Sequence, residues 1–156
     1  MPNISNDPQL NELRFVEDLA RLLTPWGVPD VAARLYGYLL LRPIPTSLDQ
    51  ITKDLGISKS SASTAARLLE SYTLARRHRE PGTKRALYAV ADDYHAMIQQ
   101  QHRLLDALAG QLSGGSKIAA SAATRRRLEE MADFYRTMRG AMEEAMGRWK
   151  RGRPAQ

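Results

Sequence analysis

Two short helix-forming segments meet at a glycine in "SLDQITKDLGISKSSASTAARLLESY" (47–72), and this arrangement limits the fold more than any other part of the chain. Ser47, Leu48, Asp49 and Gln50 have capping-box spacing, with Gln50 placed to reach back to the cap. Leu48, Ile51 and Leu55 form an apolar face, and Gly56 suits the left-handed position that ends a helix. Ser58 then caps a second helix running to about Tyr72. Two helices joined by so tight a turn have the layout of a helix-turn-helix.

The second helix has two unlike sides. At 100° per residue, Ala62, Ala65, Ala66 and Leu69 cluster on one side and are expected to pack inward. Ser60, Thr64 and Arg67 lie opposite, with Ser61 and Ser63 on the flanks and Lys59 in the first turn. Serine and threonine are mediocre helix formers, so so many hydroxyls in one helix call for a reason. Small donors and acceptors with two cations suit close approach to phosphates and base edges in a major groove.

The charge distribution agrees. Of a net +6, residues 58–85 supply seven basic groups against two acidic, whereas residues 1–57 are net −2 and residues 86–156 net +3. A polyanion is the natural partner of such a segment. After the helix, residues 74–80 and 85–90, joined by "PGTK", read as a β-hairpin. Either Ala86, Tyr88 and Val90 or Leu87 and Ala89 form its inward set. Arg79, Lys84 and Arg85 flank the turn as a wing would present them, and Arg76 and Arg77 are placed to pair with nearby acids.

Around this lobe the chain reads as helical. Residues 10–23 carry two apolar stripes, one of Leu10, Leu13, Val16, Ala20 and Leu23, the other of Phe15, Leu19, Leu22 and Trp26. "TPWG" breaks that helix, and residues 29–41 form the next, with Pro29 in its first turn. A helix from Asp92 is expected to break at "SGGSK" (113–117). In the last helix Leu128, Met131, Tyr135, Met138, Met142, Ala145 and Trp149 repeat at alternating spacings of three and four, a heptad pattern. Helices with such faces suit a homodimer core. The expected organisation is therefore a mainly α fold with a small β-hairpin: an N-terminal helix in a dimer core (1–26), a winged helix-turn-helix lobe (27–91), a helical dimerisation region (92–150) and a loose tail (151–156).

Other functions find less support. The chain of 156 residues has no cysteine, which excludes disulfides and thiolate chemistry. No run approaches the roughly 18 apolar residues of a membrane span, so a cytoplasmic protein without a membrane partner is expected. His78, His95 and His102 lack zinc-site spacing with carboxylates, and no glycine-rich phosphate loop is present. No catalytic residue, metal or cofactor is expected. Trp26, Tyr36 and Tyr38 are a candidate effector pocket, since aromatic faces suit an organic cation.

The stretch from "PWGVPDVAARLYGYLLL" through "LGISKSSASTAARLLE" to "KRALY" resembles the GbsR-type branch of the MarR family of bacterial transcriptional regulators. The resemblance covers about residues 10–112, and the last helix more by position than by motif. It implies a dimeric winged helix-turn-helix protein on a pseudo-palindromic double-stranded DNA operator, often a repressor released by a small molecule. It implies Lys59 to Arg67 as the reading face, entered at the cap Ser58, and wing contacts from Lys84 and Arg85 beside Arg79 and Thr83. Leu128, Met131, Tyr135, Met138, Met142 and Trp149 become dimer contacts. In this chain the wing tip is Gly82-Thr83-Lys84-Arg85, without the aspartate that braces an arginine in many relatives. A protein-docking module and a non-specific nucleic-acid binder are the alternative functions.

Overall fold

The structure is a computed structural model that describes residues 7–154. These divide between Asp92 and Asp93 into two compact units. The first opens with α1 (Pro8–Leu23), whose N-cap Asp7 accepts from the Gln9 N–H at 3.0 Å and whose first position is proline. A 3₁₀ turn (Thr24–Trp26) ends at Gly27, where φ is +92°. α2 (Asp30–Leu40) follows, with Pro29 at its N-cap position, just outside the helix. α1 lies against α2 at Gly37, where an added Cβ would stand 3.2 Å from the Val16 Cα. Glu17–Arg34 and Glu12–Arg42 ion pairs flank this contact.

The helix-turn-helix forms as its sequence requires. In α3 (Leu48–Leu55) the Ser47 hydroxyl accepts from the Gln50 N–H at 3.2 Å, and Gly56 is left-handed with φ +64°. Gln50 does not complete the capping box. Its side-chain amide donates to Asp54 at 2.8 Å, one helical turn on. α4 (Lys59–Ser71) is capped by Ser58. Its Ala62, Ala65, Ala66 and Leu69 are buried in one core with Ala32, Leu35 and Leu39 of α2 and Ile51 of α3. Tyr38 joins this core, and its hydroxyl donates to Asp54 at 2.6 Å. Burial first, then Asp54, pushes the Tyr38 phenol above its ordinary range.

The hairpin has a third strand that the sequence did not announce. β1 (Thr46–Ser47) pairs antiparallel with β3 (Ala86–Val90), which pairs antiparallel with β2 (Ala75–Arg79), giving the order β1-β3-β2. Two residues between prolines and a helix are too few for a periodic signal, and only the pairing with β3 defines them as a strand. Tyr88 is buried, with Ala86 and Val90 packed beside it, so this alternate set faces the core.

The second unit is an antiparallel pair, α5 (Tyr94–Ile118) and α6 (Ala122–Arg151). α5 runs through "SGGSK" instead of breaking there. Glycine costs helix propensity, but α6 packs on this stretch. Gly115 faces Leu128 of α6, and Ser116 is buried, bonded to the Ser113 carbonyl and to Glu129. Arg136 adds a bond to the Ser113 hydroxyl at 2.8 Å. Tertiary packing therefore outweighs local propensity. α6 includes Arg151 and is followed by Gly152, so the expected tail begins one residue late; Ala155 and Gln156 lie outside the described residues.

Replacing Gly37 with leucine should push α1 off α2. We expect a loss of about 1–3 kcal/mol, measured by chemical unfolding. Wild-type stability in that variant would contradict the close helix crossing.

Candidate nucleic-acid interface

The alanine side of α4 sets what faces outward. Lys59, Ser60, Ser61, Thr64 and Arg67 are exposed and Ser63 is half-buried. Ser58 is also exposed, but its hydroxyl is occupied: it accepts from the Ser61 N–H at 3.1 Å and lies within 3.1 Å of the Ser60 and Ser61 hydroxyls. It is a cap before it is a contact. Lys59 pairs with Asp49 of α3 at 3.2 Å across a solvent-exposed gap. Arg67 Nε reaches only the Ser63 carbonyl, at 3.4 Å, and makes no ion pair among the described residues. Leu68, half-buried, lies on the Ser61 flank of α4; with Pro29, Val31, Ser60, Ser61 and Thr64 it lines a groove of about 300 Å³ between α2 and α4.

In the wing, four residues had been read as one set, and they divide. Arg79 and Lys84 are exposed and form no hydrogen bond or ion pair among the described residues. Register places Arg79, with Arg77, on the sheet face that carries Ala75 and Tyr88, which is the helix-packed side. Thr83 holds the turn: its hydroxyl donates toward Glu80 and accepts from the Arg85 N–H at 3.2 Å. Arg85 points back into the lobe. Its guanidinium donates to the Ser47 hydroxyl at 2.7 Å and lies 4.0 Å from Glu80. So an acidic brace is present, supplied from across the turn by Glu80. The sequence marks Ser47 only as a helix cap and does not mark Glu80, because nothing local identifies either as a wing anchor. Arg76 does pair, with Asp92 at 3.6 Å, while Arg77 forms no ion pair among the described residues.

The aromatic trio does not form one enclosure. Trp26 is 84% exposed, while Tyr38 is buried with its hydroxyl on Asp54 and the Arg42 guanidinium 4.8 Å from its ring. Tyr36, two positions from Tyr38, is turned about 200° round α2. Two grooves border Tyr38, both lined by Arg42 and Asp54, and neither includes Trp26 or Tyr36. No group of His, Asp and Glu among the described residues has the geometry to hold a metal ion. No helix among them is long and apolar enough to cross a membrane.

Comparison with known proteins agrees with this architecture. Residues 92–152 match the family model described as MmpR5-like MarR family transcriptional regulator. A structural likeness extends across most of the chain. A crystal structure described as that of a transcriptional regulator superposes with a TM-score of 0.82 at 25% identity, covering 90% of this chain and 99% of that one. The chain is thus similar to helix-turn-helix transcriptional regulators, with its MarR-family likeness over residues 92–152. Two Bacillus subtilis (strain 168) proteins share similarity over 84 residues, 54% of this chain. One is YvaV, whose name assigns it provisionally to the HTH-type transcriptional regulators, at 27% identity. The other is the HTH-type transcriptional repressor OpcR, at 26%. The matched stretch spans about half of those relatives, 48% and 45%. The matches name regulators, not enzymes.

The division between Arg85 and Lys84 is testable. Arg85→Ala should lower stability by about 1 kcal/mol, since it removes a charged hydrogen bond that is half open to solvent. Lys84→Ala should leave the melting temperature unchanged. Equal melting temperatures for the two variants would remove Arg85 as an anchor.

Proposed function

We propose that this protein is a homodimeric, sequence-specific regulator that binds double-stranded DNA as a repressor at a pseudo-palindromic operator. The observation that carries the reading is the outward face of α4. Ser60, Thr64 and Arg67 project on the side opposite a packed alanine face, with Ser61 on the flank and Lys59 at the helix start. Small hydroxyls allow the close approach that base-edge contacts need, and Arg67 has the reach for a guanine edge or a phosphate. Arg79 and Lys84 serve as the wing's phosphate contacts, and Arg85 and Thr83 shape the wing without touching DNA. The GbsR-type branch is our finer placement, carried by the motifs of the winged lobe. Repression is in the name of OpcR and is inferred for this chain.

Dimerisation is supported by apolar surface the protomer leaves open. The seam of α6 against α5 uses Leu128, Ala132, Tyr135, Arg139, Met142 and Met146, all wholly or partly buried. Met131, Phe134, Met138 and Trp149 stay exposed on an adjoining stripe, with Met138 at 43%. Leu13, Phe15 and Leu22 of α1 are exposed likewise. A second copy covering these faces would double a small DNA footprint by symmetry. We infer no effector site at Trp26, Tyr36 and Tyr38, because the two grooves described at Tyr38 include neither Trp26 nor Tyr36.

The test is binding of the full-length protein to the DNA upstream of its own gene against random duplex of equal length, over a salt series. A preference of about a thousandfold or more, with affinity falling steeply in salt, is expected. Arg67→Ala should reduce that affinity by about 1–3 kcal/mol if it reads a base. Equal affinity for both duplexes would favour a non-specific binder, and no binding at low salt would favour a protein-docking role. Met138→Asp should convert the sedimenting species to a folded monomer; a folded dimer would exclude the stripe as the interface.

A further inference from the structure

The basic excess outside the winged lobe has a second concentration. Residues 113–128, which span the turn between α5 and α6, contain Lys117, Arg125, Arg126 and Arg127 and no acidic residue. All four are exposed. Arg125 has a local task, donating to the Ala119 carbonyl at 2.9 Å across the turn. Lys117, Arg126 and Arg127 make no hydrogen bond or ion pair among the described residues. The nearest acid, Glu129, is directed to Ser116 and Ser113.

α6 has no acid in its first turn, and three arginines follow at once. Glu129 and Glu130 lie one turn on, within helical reach of the arginines. They leave the four cations of the tip with a net positive charge. Three consecutive residues at 100° fan across about 200° of the helix, so they surround the helix end and do not form a stripe. Around them stand Ala119, Ala120, Ala122 and Ala123, while the hydroxyls of Ser121 and Thr124 are engaged with each other in the helix cap. Such an end fits phosphates, which duplex DNA presents at regular spacing and which arginine binds in a fork.

We propose that the α5–α6 tip is a second, sequence-indifferent phosphate-binding surface for duplex DNA. It rests on the DNA-binding reading above. The phosphates belong either to the flanks of the bound duplex or to a second duplex, and experiment separates the two.

The test uses the full-length protein and a Lys117→Gln/Arg126→Gln/Arg127→Gln variant that keeps Arg125 at the turn. Binding to random duplex is measured over a salt series, and capture of a labelled duplex on an immobilised one is measured in parallel. If the tip holds the same duplex, the salt slope becomes shallower by roughly 2 to 3, near 0.9 for each lost phosphate contact. If it holds a second duplex, the slope stays and capture falls by about tenfold. Wild-type slope together with wild-type capture overturns the proposal while leaving the reading face intact. A wild-type protein that binds no duplex at low salt overturns the DNA-binding reading as well. Arg126→Ala/Arg127→Ala guards against misfolding: alanine keeps the helix, so the melting temperature should stay near the wild-type value while the tip function is still lost. Ile118, 87% exposed beside Lys117, is the internal control. Ile118→Ser should behave as wild type, and loss of capture there would assign the tip to an apolar protein contact and overturn the proposal.

Discussion

The packing of α4 on α2 through alanine governs the winged lobe. Ala62, Ala65 and Ala66 are buried against a wall that includes Ala32, Leu35 and Leu39. Small side chains on both sides let the two helices approach closely, and Leu69 with Ile51 fills the remaining volume. Close packing tolerates little rotation, because turning α4 by one residue would bring Ser61 or Ser63 into an apolar core at the cost of an unpaired hydroxyl. The inward alanines therefore fix which side of α4 faces out. The outward hydroxyls follow from that constraint, since a helix with one alanine face has only the other on which to carry function.

Ser47 links this packing to the wing. It is paired with Leu87 in the sheet, its hydroxyl caps α3, and the same oxygen accepts from Arg85. One residue thus joins the start of the helix-turn-helix to the base of the hairpin. Glu80 and Thr83 hold the turn from the other side. The wing is consequently a braced projection of the lobe, and its free cations Arg79 and Lys84 are carried on a frame that does not depend on them.

What could be read from the sequence divides along the range of the interactions. The left-handed Gly56, the Ser47 and Ser58 caps and the two faces of α4 depend on neighbours within a turn or two, and all were legible. The heptad of α6 was visible as a period, yet the period could not say which edge of the stripe packs on α5. Ala132 and Arg139, each one residue after Met131 and Met138, took the seam positions. "SGGSK" looked like a break because its stabilising partners, Leu128, Glu129 and Arg136, lie beyond the turn. β1 and the inward course of Arg85 were invisible for the same reason: each is defined by a partner about 40 residues away. Gln50 shows competition at short range: its side chain could accept from the Ser47 N–H or donate to Asp54, and it donates to Asp54.

The cations of the winged lobe differ in what each would leave behind on turning to a phosphate. Arg79 and Lys84 leave nothing. Lys59 leaves Asp49, but both side chains are about 70% exposed, and such surface pairs contribute little, so it can exchange one oxygen ligand for another at small cost. Arg67 leaves only a long bond to a carbonyl in its own helix. Arg85 would leave the Ser47 cap and Glu80, and the brace of the wing with them. Basicity alone therefore does not define the interface. The residues suited to a polyanion are those whose present contacts are weak, and on this lobe they are Lys59, Arg67, Arg79 and Lys84, joined by the unpaired Arg77 on the same sheet face as Arg79.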